Sequence, residues 1–120
     1  MREILFRGKR IDNGEWLEGY YGFDDNKPLI AINKANGING YFVAAETVGQ
    51  FTGLTDKNGK KIFEGDIIKR LVNSGIYTVE YDNRFGMFVS KNRVDSYAGC
   101  ADCEVLGNIY DNPELLEVQS

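Results

Sequence analysis

The sequence predicts a mainly β protein, and three observations favour that class. Aromatic residues are abundant, with seven Tyr, seven Phe and a single Trp at position 16, and such side chains favour strands. Short apolar stretches are separated by turn signals rich in Gly, Asn and Asp. No segment sustains the apolar spacing of a helix. We therefore expect short antiparallel strands joined by tight turns.

The N-terminal segment predicts a β-hairpin. Residues 2–11 form its first strand, Asp12-Asn13-Gly14 its turn, and residues 15–23 its returning strand. Alternation along the returning strand places two sets of side chains on opposite faces: Trp16, Glu18 and Tyr20 on one, and Leu17, Gly19 and Tyr21 on the other.

The next segment predicts less regular structure. A polar turn at residues 24–28 precedes a short strand at residues 29–32. The Asn-Gly pairs within residues 36–40 predict a loop, since such pairs are frequent in turns. An extended segment at 41–43, one helical turn at 44–46 and a strand at 47–51 complete the segment.

The stretch from Gln50 to Arg70 holds two turn signals around a short strand. In the first, Asp56 to Gly59, Asn and Gly tolerate positive φ and the Asp56 carboxylate can accept backbone N–H groups. In the second, Glu64-Gly65-Asp66 bends the chain into a β-branched strand.

The C-terminal half predicts further strands and a helical turn. A hairpin (66–73 and 76–82), a turn at 83–84, strands at 85–90 and 104–110, and a loop at 91–103 follow in order. Asn112 is a candidate N-cap with Pro113 at the first helical position. This pattern predicts a small SH3-like or related five-strand barrel at about residues 42–110, extended or capped by the N-terminal hairpin. We expect a single domain over residues 1–120, with subregions 1–41 and 42–120.

Three stretches resemble one family. T-G-L-x-D-x-N-G-K-x-I-x-E-G-D-I-I (Thr52 to Ile68) is similar to the signature of the YopX family, small proteins of bacterial phages and prophages. R-E-I-L-F-R-G-K (Arg2 to Lys9) and L-G-N-I-Y-D-N-P-E-L-L (Leu106 to Leu116) resemble its opening strand and closing turn. Residues 24–45 and 90–103 carry little of the resemblance. It implies a prophage context and a mostly β fold, but no defined activity.

The motif residues are expected to shape turns rather than perform chemistry. The turn residues that we single out in these stretches share small or short polar side chains, with one Pro and one Glu: Gly53, Asp56, Asn58, Gly59, Glu64, Gly65, Asp66, Asn108 and Pro113.

Composition excludes several classes of function. The chain has no histidine, which excludes Ser-His-Asp and Cys-His catalysis and most catalytic zinc sites. A net charge of −4 argues against a protein that chiefly neutralises phosphate. No stretch reaches the ~20 apolar residues of a membrane span, and the N-terminus lacks a signal sequence. We expect a cytoplasmic protein that is not an enzyme and has no cofactor or metal.

Two sets of residues keep an enzymatic or metal-binding hypothesis open. Cys100 and Cys103 have C-x-x-C spacing, but no second ligand pair or βαβ pattern accompanies them. Glu64 and Asp66, with Asp56 nearby, could work in acid–base chemistry or hold a hard cation. Turn formation is the favoured interpretation of these carboxylates.

The basic and aromatic residues of the N-terminal hairpin support two binding hypotheses. Arg2, Arg7, Lys9 and Arg10 lie opposite Trp16, Tyr20 and Tyr21 in the hairpin. Such a surface can bind single-stranded nucleic acid, but the acidic composition is unfavourable. The leading hypothesis is a protein-binding module that contacts a second copy of itself, or a host or phage protein.

Overall fold

Strands account for most of the computed structural model, which describes residues 5–70, 75–82, 87–90 and 103–117. The prediction of a mainly β protein is confirmed. The chain divides into two units, Met1–Phe51 and Thr52–Ser120. This boundary follows Phe51, whereas the sequence placed its subregion boundary after Tyr41. The single-domain organisation stays a prediction.

The strands of the first unit belong to a six-stranded sheet with order β4-β3-β2-β1-β5-β6, whose last strand, β6 (Lys61–Phe63), is part of the second unit. The pairs among β1 to β5 are antiparallel. The strands are β1 (Phe6–Lys9), β2 (Trp16–Asp24), β3 (Lys27–Lys34), β4 (Gly37–Phe42) and β5 (Gly49–Thr55), the last of which continues past the unit boundary. The β1–β2 hairpin was predicted and is confirmed, with Phe6 opposite Gly19 and Lys9 opposite Trp16. Its turn is closed by the Arg10 N–H, which donates to the Glu15 carbonyl at 2.8 Å.

The predicted loop at residues 36–40 is wrong, because most of it lies in β4. Only Ala35 and Asn36 separate β3 from β4, and Lys34 pairs with Gly37. The φ of Gly37 is 122°, a conformation that favours glycine and allows the two-residue turn. The Asn-Gly signal thus marks a hairpin turn rather than a loop. The polar turn at residues 24–28 is similarly tight, with Asp25 and Asn26 at φ of 53° and 65°.

The segment after β4 returns the chain to β1. A bridge joins Arg10 to Val43, and the Ala44 N–H donates to the Lys9 carbonyl at 2.9 Å. A 3₁₀ turn follows at Ala45–Thr47, so Thr47 belongs to this turn and not to the predicted strand. The Thr47 hydroxyl accepts the Lys9 N–H at 3.0 Å, which ties the turn to β1.

In the core of the first unit, the backbone of two glycines, Gly8 and Gly19, packs directly against neighbouring chain segments. Ile30 and Val43 are buried, and each lies against a glycine. A Cβ on Gly8 would stand 3.0 Å from Val43 Cβ, and one on Gly19 would stand 2.3 Å from the Ala31 carbonyl oxygen. These glycines allow neighbouring chain segments to pack at the distance that we observe.

The second unit contains a four-stranded antiparallel sheet with order β10-β7-β8-β9. Its elements are β6 (Lys61–Phe63), β7 (Asp66–Arg70), β8 (Ile76–Asp82), β9 (Met87–Ser90), β10 (Cys103–Asn108) and the helix α1 (Glu114–Glu117). The predicted β7–β8 hairpin is confirmed. The predicted turn at 83–84 lies outside the described residues, as does most of the turn at 73–75. The predicted loop at 91–103 also lies outside them except for Cys103, which belongs to β10 and not to a loop.

A small apolar cluster holds the second unit together. Ile62, Ile68, Val79 and Cys103 are buried in it, and Tyr77 and Val105 pack against them. These side chains come from β6, β7, β8 and β10, so the cluster joins the four strands. The described part of the second unit contains no closed barrel, so the SH3-like description is only approximate.

One short helix was predicted and is observed. α1 begins directly after Pro113, and the Leu116 N–H donates to the Pro113 carbonyl at 3.1 Å. The Asn112 side-chain oxygen accepts the Asn108 N–H at 3.2 Å, so it also stabilises the turn that precedes the helix. Among the described residues, no helix has the length and apolar character to cross a bilayer.

The close approach at Gly19 predicts the effect of a single methyl group. In Gly19→Ala the new Cβ would overlap the Ala31 carbonyl oxygen, so β2 and β3 must separate locally. We expect the free energy of unfolding to fall by about 1–3 kcal/mol, measured by urea denaturation. Gly22→Ala in the same strand is the matched control, because its nearest atom is Leu29 Cδ1 at 4.0 Å. Equal stability of the two variants would contradict this packing.

Candidate functional site

The turn from Asp56 to Lys60 is organised by one buried carboxylate. Asp56 is 5% exposed, and its Oδ1 accepts the N–H groups of Asn58 at 2.8 Å and Lys60 at 2.9 Å. Its backbone N–H donates to the Lys60 carbonyl at 2.8 Å, and its carbonyl accepts the Gly59 N–H at 3.0 Å. We call Asp56–Lys60 the motif turn. The backbone N–H, the backbone carbonyl and Oδ1 of Asp56 therefore all help to close it.

The motif turn also covers the outer edge of β10. Asp56 Oδ2 accepts the Val105 N–H at 3.0 Å, and the Lys57 N–H donates to the Cys103 carbonyl at 2.9 Å. Because β10 is the last strand of its sheet, these backbone groups point away from β7 and need other partners. A side chain 49 positions earlier in the sequence thus replaces a neighbouring strand.

The surroundings of Asp56 keep its carboxyl ionised. Burial acts to raise the pKa of Asp56, but the N–H donors of Val105, Lys60 and Asn58, together with the Lys60 charge, outweigh it. The pKa of Asp56 is consequently held below its ordinary value of 3.8. Hydrogen bonds to the charged form are the physical reason.

The second motif turn joins three elements of the second unit. Gly65 donates its N–H to the Val79 carbonyl at 2.9 Å and accepts the Ile109 N–H at 2.9 Å. Its φ of 94° favours glycine. The buried Asp66 carboxylate accepts the Phe63 N–H at 2.7 Å. This turn therefore fixes where β6 ends and β7 begins.

The remaining motif residues also lie in turns or a strand. Asn108 Oδ1 accepts the N–H groups of Tyr110 at 3.0 Å and Asp111 at 2.9 Å. A Cβ on Gly107 would stand 2.3 Å from Asn112 Oδ1, so that glycine makes room for the side chain. Gly53 lies exposed in β5 with a φ of 89°.

The structure does not gather the carboxylates into a metal site. No group of three or more His, Cys, Asp or Glu side chains able to hold a metal ion occurs in the described ranges, which include Asp56, Glu64 and Asp66. Cys103 is buried with a free thiol. Cys100 lies outside the described residues, so the C-x-x-C hypothesis is not tested.

A second candidate site is one face of the first sheet. Cross-strand partners share a face, and the pairs Tyr20–Ala31, Gly22–Leu29 and Leu29–Phe42 define it. We call this surface the Tyr20 face, and its side chains come from β1 to β4: Arg7, Lys9, Trp16, Glu18, Tyr20, Leu29, Ile38 and Phe42. Ile30, on the opposite face, is fully buried. The Tyr20 face is therefore the solvent side of the sheet.

Large apolar side chains are exposed on the Tyr20 face. Tyr20 is 60% exposed, Ile38 69% and Phe42 39%. Leu29 lies between two glycines, with its Cδ1 4.0 Å from the Cβ position of Gly22 and 3.4 Å from that of Gly40. The absence of side chains at these glycines leaves Leu29 accessible between Tyr20 and Phe42.

Cations lie over aromatic rings at the ends of this face. Arg7 Cζ is 4.9 Å and Lys9 Nζ 5.9 Å from the centroid of the Trp16 ring. Lys27 Nζ is 5.8 Å from the Phe42 centroid. Such contacts hold the rings in place and add positive charge beside them.

The sequence predicted only part of this surface. Trp16 and Tyr20 do share a face with Arg7 and Lys9, as the alternation indicated. Arg10 and Tyr21 belong to the other face, where Arg10 Cζ is 4.5 Å from the Tyr41 ring centroid, and Arg2 lies outside the described residues. Ile38 was missed because residues 36–40 were interpreted as a loop, and Phe42 was missed because the predicted extended segment 41–43 was not assigned to this sheet. The signal that could have identified this strand, β4, is the alternation of residues 38, 40 and 42 directly after a two-residue turn.

Replacing the Asp56 carboxylate should destabilise the protein. An amide in Asp56→Asn offers one oxygen, so at least one N–H among Val105, Lys60 and Asn58 loses its acceptor. We expect the free energy of unfolding at neutral pH to fall by about 2–3 kcal/mol, measured by urea denaturation.

Asp12→Asn is the matched control for this substitution. Asp12 is paired with Arg10 at 2.6 Å, but its side chain is 62% exposed, so water screens the interaction and we expect little change. The effect of Asp56→Asn should shrink as the pH falls through the folded-state pKa of Asp56, because a depressed pKa stabilises only while the group is ionised. A loss that is the same at pH 7 and in strong acid would refute the role of its charge.

Two comparisons with known proteins give matches over nearly the whole chain. The family model described as YopX protein matches residues 5–117. The crystal structure of protein EF1440 from Enterococcus faecalis is similar, with 25% sequence identity and a TM-score of 0.62. The match covers 97% of this chain and 99% of that chain. No curated protein gives a significant match. Since the family model covers nearly the whole sequence, the chain belongs to the YopX family.

Proposed function

We propose that this YopX-family chain is a non-catalytic binding module that contacts a protein partner through the Tyr20 face. The supporting observation is the exposure of Tyr20 in β2 and of Ile38 and Phe42 in β4, two strands on either side of β3 in one sheet. Apolar side chains that are exposed together, with polar residues around them, are typical of interaction sites.

The composition of the Tyr20 face is that of a protein interface. Tyr, Trp and Arg are enriched among residues that contribute most to binding, and Tyr20, Trp16 and Arg7 represent all three. The Trp16 ring is held by the Arg7 and Lys9 side chains, so it loses little conformational freedom on binding. An ordered aromatic surface costs less entropy to bind than a mobile one.

The proposal that the chain is not an enzyme comes from the sequence. It has no histidine, so the commonest general base and the usual nucleophile-activating arrangements are missing. The motif carboxylates Asp56 and Asp66 bind backbone N–H groups within turns. Carboxylates engaged in this way stabilise turns instead of offering a free base to a substrate.

The family resemblance supports a cellular setting for this activity. We place the protein among accessory proteins encoded by a phage or prophage, acting in the cytoplasm of the bacterial host. Its partner would then be a host protein, a phage protein or a second copy of the chain.

A second candidate function is binding to single-stranded nucleic acid. The observation that favours it is the placement of Lys27 over Phe42, and of Arg7 and Lys9 over Trp16, on one face. Bases stack on exposed rings while neighbouring cations contact phosphates. The net charge of −4 weighs against it. Retention on single-stranded DNA that falls steeply with salt would favour this function.

Loss of one exposed ring should weaken partner binding. We expect Tyr20→Ala to reduce capture of a stoichiometric, nuclease-resistant partner from host lysate at least about tenfold, as truncation of an interface Tyr commonly does. The protein should keep its unfolding midpoint, because the Tyr20 side chain is largely exposed. Capture followed by mass spectrometry measures the change.

Phe23→Ala is the matched control. Phe23 lies in the same strand and is 63% exposed, but alternation places it on the opposite face. The proposal fails if Tyr20→Ala and Phe23→Ala capture the partner equally well. Disappearance of the captured material on nuclease treatment would favour the nucleic-acid function instead.

A further inference from the structure

The backbone of β4 has one open side. β4 is the last strand of its sheet, and the Val43 N–H donates to the Pro28 carbonyl at 3.1 Å. Because hydrogen-bonded and non-hydrogen-bonded pairs alternate, this bond sets the direction of every N–H and carbonyl in β4. The groups of Ile38, Gly40 and Phe42 point away from β3.

One contact verifies this assignment and limits the open edge. The Phe42 carbonyl accepts the Ile11 N–H at 3.2 Å, as expected of a group that points away from β3. The N–H and carbonyl groups of Ile38 and Gly40 have no partner in the described part of the chain, and both residues are exposed. The open edge is therefore the segment 38–40.

This edge lacks the usual protection against pairing. Edge strands generally carry charged side chains, Pro or a covering segment, and β10 has the motif turn over its edge. The β4 sequence Gly-Ile-Asn-Gly-Tyr-Phe has neither charge nor Pro. The edge of β4 at residues 38–40 is therefore available to pair with another strand.

The open edge is complementary to itself. In an antiparallel pair centred on Asn39, Ile38 lies opposite the partner's Gly40 and Gly40 opposite the partner's Ile38. Both are hydrogen-bonded positions, so four N–H to carbonyl bonds form. Each Ile38 side chain then stands over a glycine, where Leu29 is accessible because Gly40 has no side chain.

We infer that the chain forms a symmetric dimer through antiparallel pairing of β4 with β4 of a second copy. This inference names one partner for the proposed function, a second copy of the chain. It rests on the proposed function only in assuming that the chain is a binding module. The pairing extends the sheet and makes the Tyr20 faces of two copies continuous. Since two pairs of residues bury little area, we expect a dissociation constant in the micromolar range.

The test is the mass of the full-length protein by sedimentation equilibrium over a range of concentrations. The wild type should be a dimer whose amides at Ile38 and Gly40 are protected from hydrogen exchange. Ile38→Asp should halve the mass, because it places a charge on each side of the pairing. Phe23→Asp, at a residue with 63% exposure against 69% for Ile38, is the control and should stay dimeric.

A second variant tests the same pairing without introducing a charge into β4. Gly40→Val should also halve the mass, because its side chain occupies the place beside Leu29 that the partner's Ile38 needs. A monomeric wild type, or a dimer that survives both substitutions while the amides of Ile38 and Gly40 exchange freely, overturns the inference. The proposed function is judged separately by partner capture with Tyr20→Ala, since Tyr20 lies two strands away from the edge.

Discussion

The buried Asp56 carboxylate is the interaction on which the second unit depends. It closes the motif turn through Asn58 and Lys60 and reaches β10 through Val105. The apolar cluster of this unit is small, and Cys103 at the start of β10 is part of it. β10 also pairs with β7, from Cys103 opposite Arg70 to Asn108 opposite Asp66. Charge-assisted hydrogen bonds are directional and stronger than neutral ones, so the Asp56 carboxylate adds a second set of contacts on the outer side of β10.

Two sheet edges, that of β10 in the second unit and that of β4 in the first, differ in whether their backbone groups have partners. In the second unit, Asp56 and Lys57 satisfy backbone groups on the outer side of β10. In the first unit, Phe42 is the one residue of β4 whose outward backbone groups have a partner within the described ranges. A covered edge cannot pair with another strand, whereas an open edge is available for pairing, which is the basis of the dimer that we infer. The same sheet that leaves its edge open also presents the Tyr20 face to solvent.

Much of this architecture could be predicted from local sequence signals. The β1–β2 hairpin, the β7–β8 hairpin and the helical turn after Pro113 follow from alternation and turn chemistry, which act over a few residues. The Asn-Gly pairs of residues 36–40 were misinterpreted because a two-residue hairpin turn and a loop use the same residues. The contact of Asp56 with Val105 could not be predicted, since nothing local specifies which distant N–H a turn carboxylate accepts. The sequence predicted only part of the Tyr20 face for the same reason. The missing part lies in β4, which can be recognised as a strand of this sheet only from its pairing with β3.

The most direct test of this account is a titration of the Asp56 carboxyl by carbon-detected NMR, with the Val105 amide followed in the same samples. If the carboxylate holds β10, its pKa lies below the ordinary value of 3.8 and the Val105 amide shifts with the same midpoint. Protonation would weaken the three N–H bonds, so the stability that they contribute is present at neutral pH and is lost as the pH falls through that midpoint. A carboxyl that titrates at or above 3.8, with a Val105 amide that does not respond, would contradict the central role of Asp56.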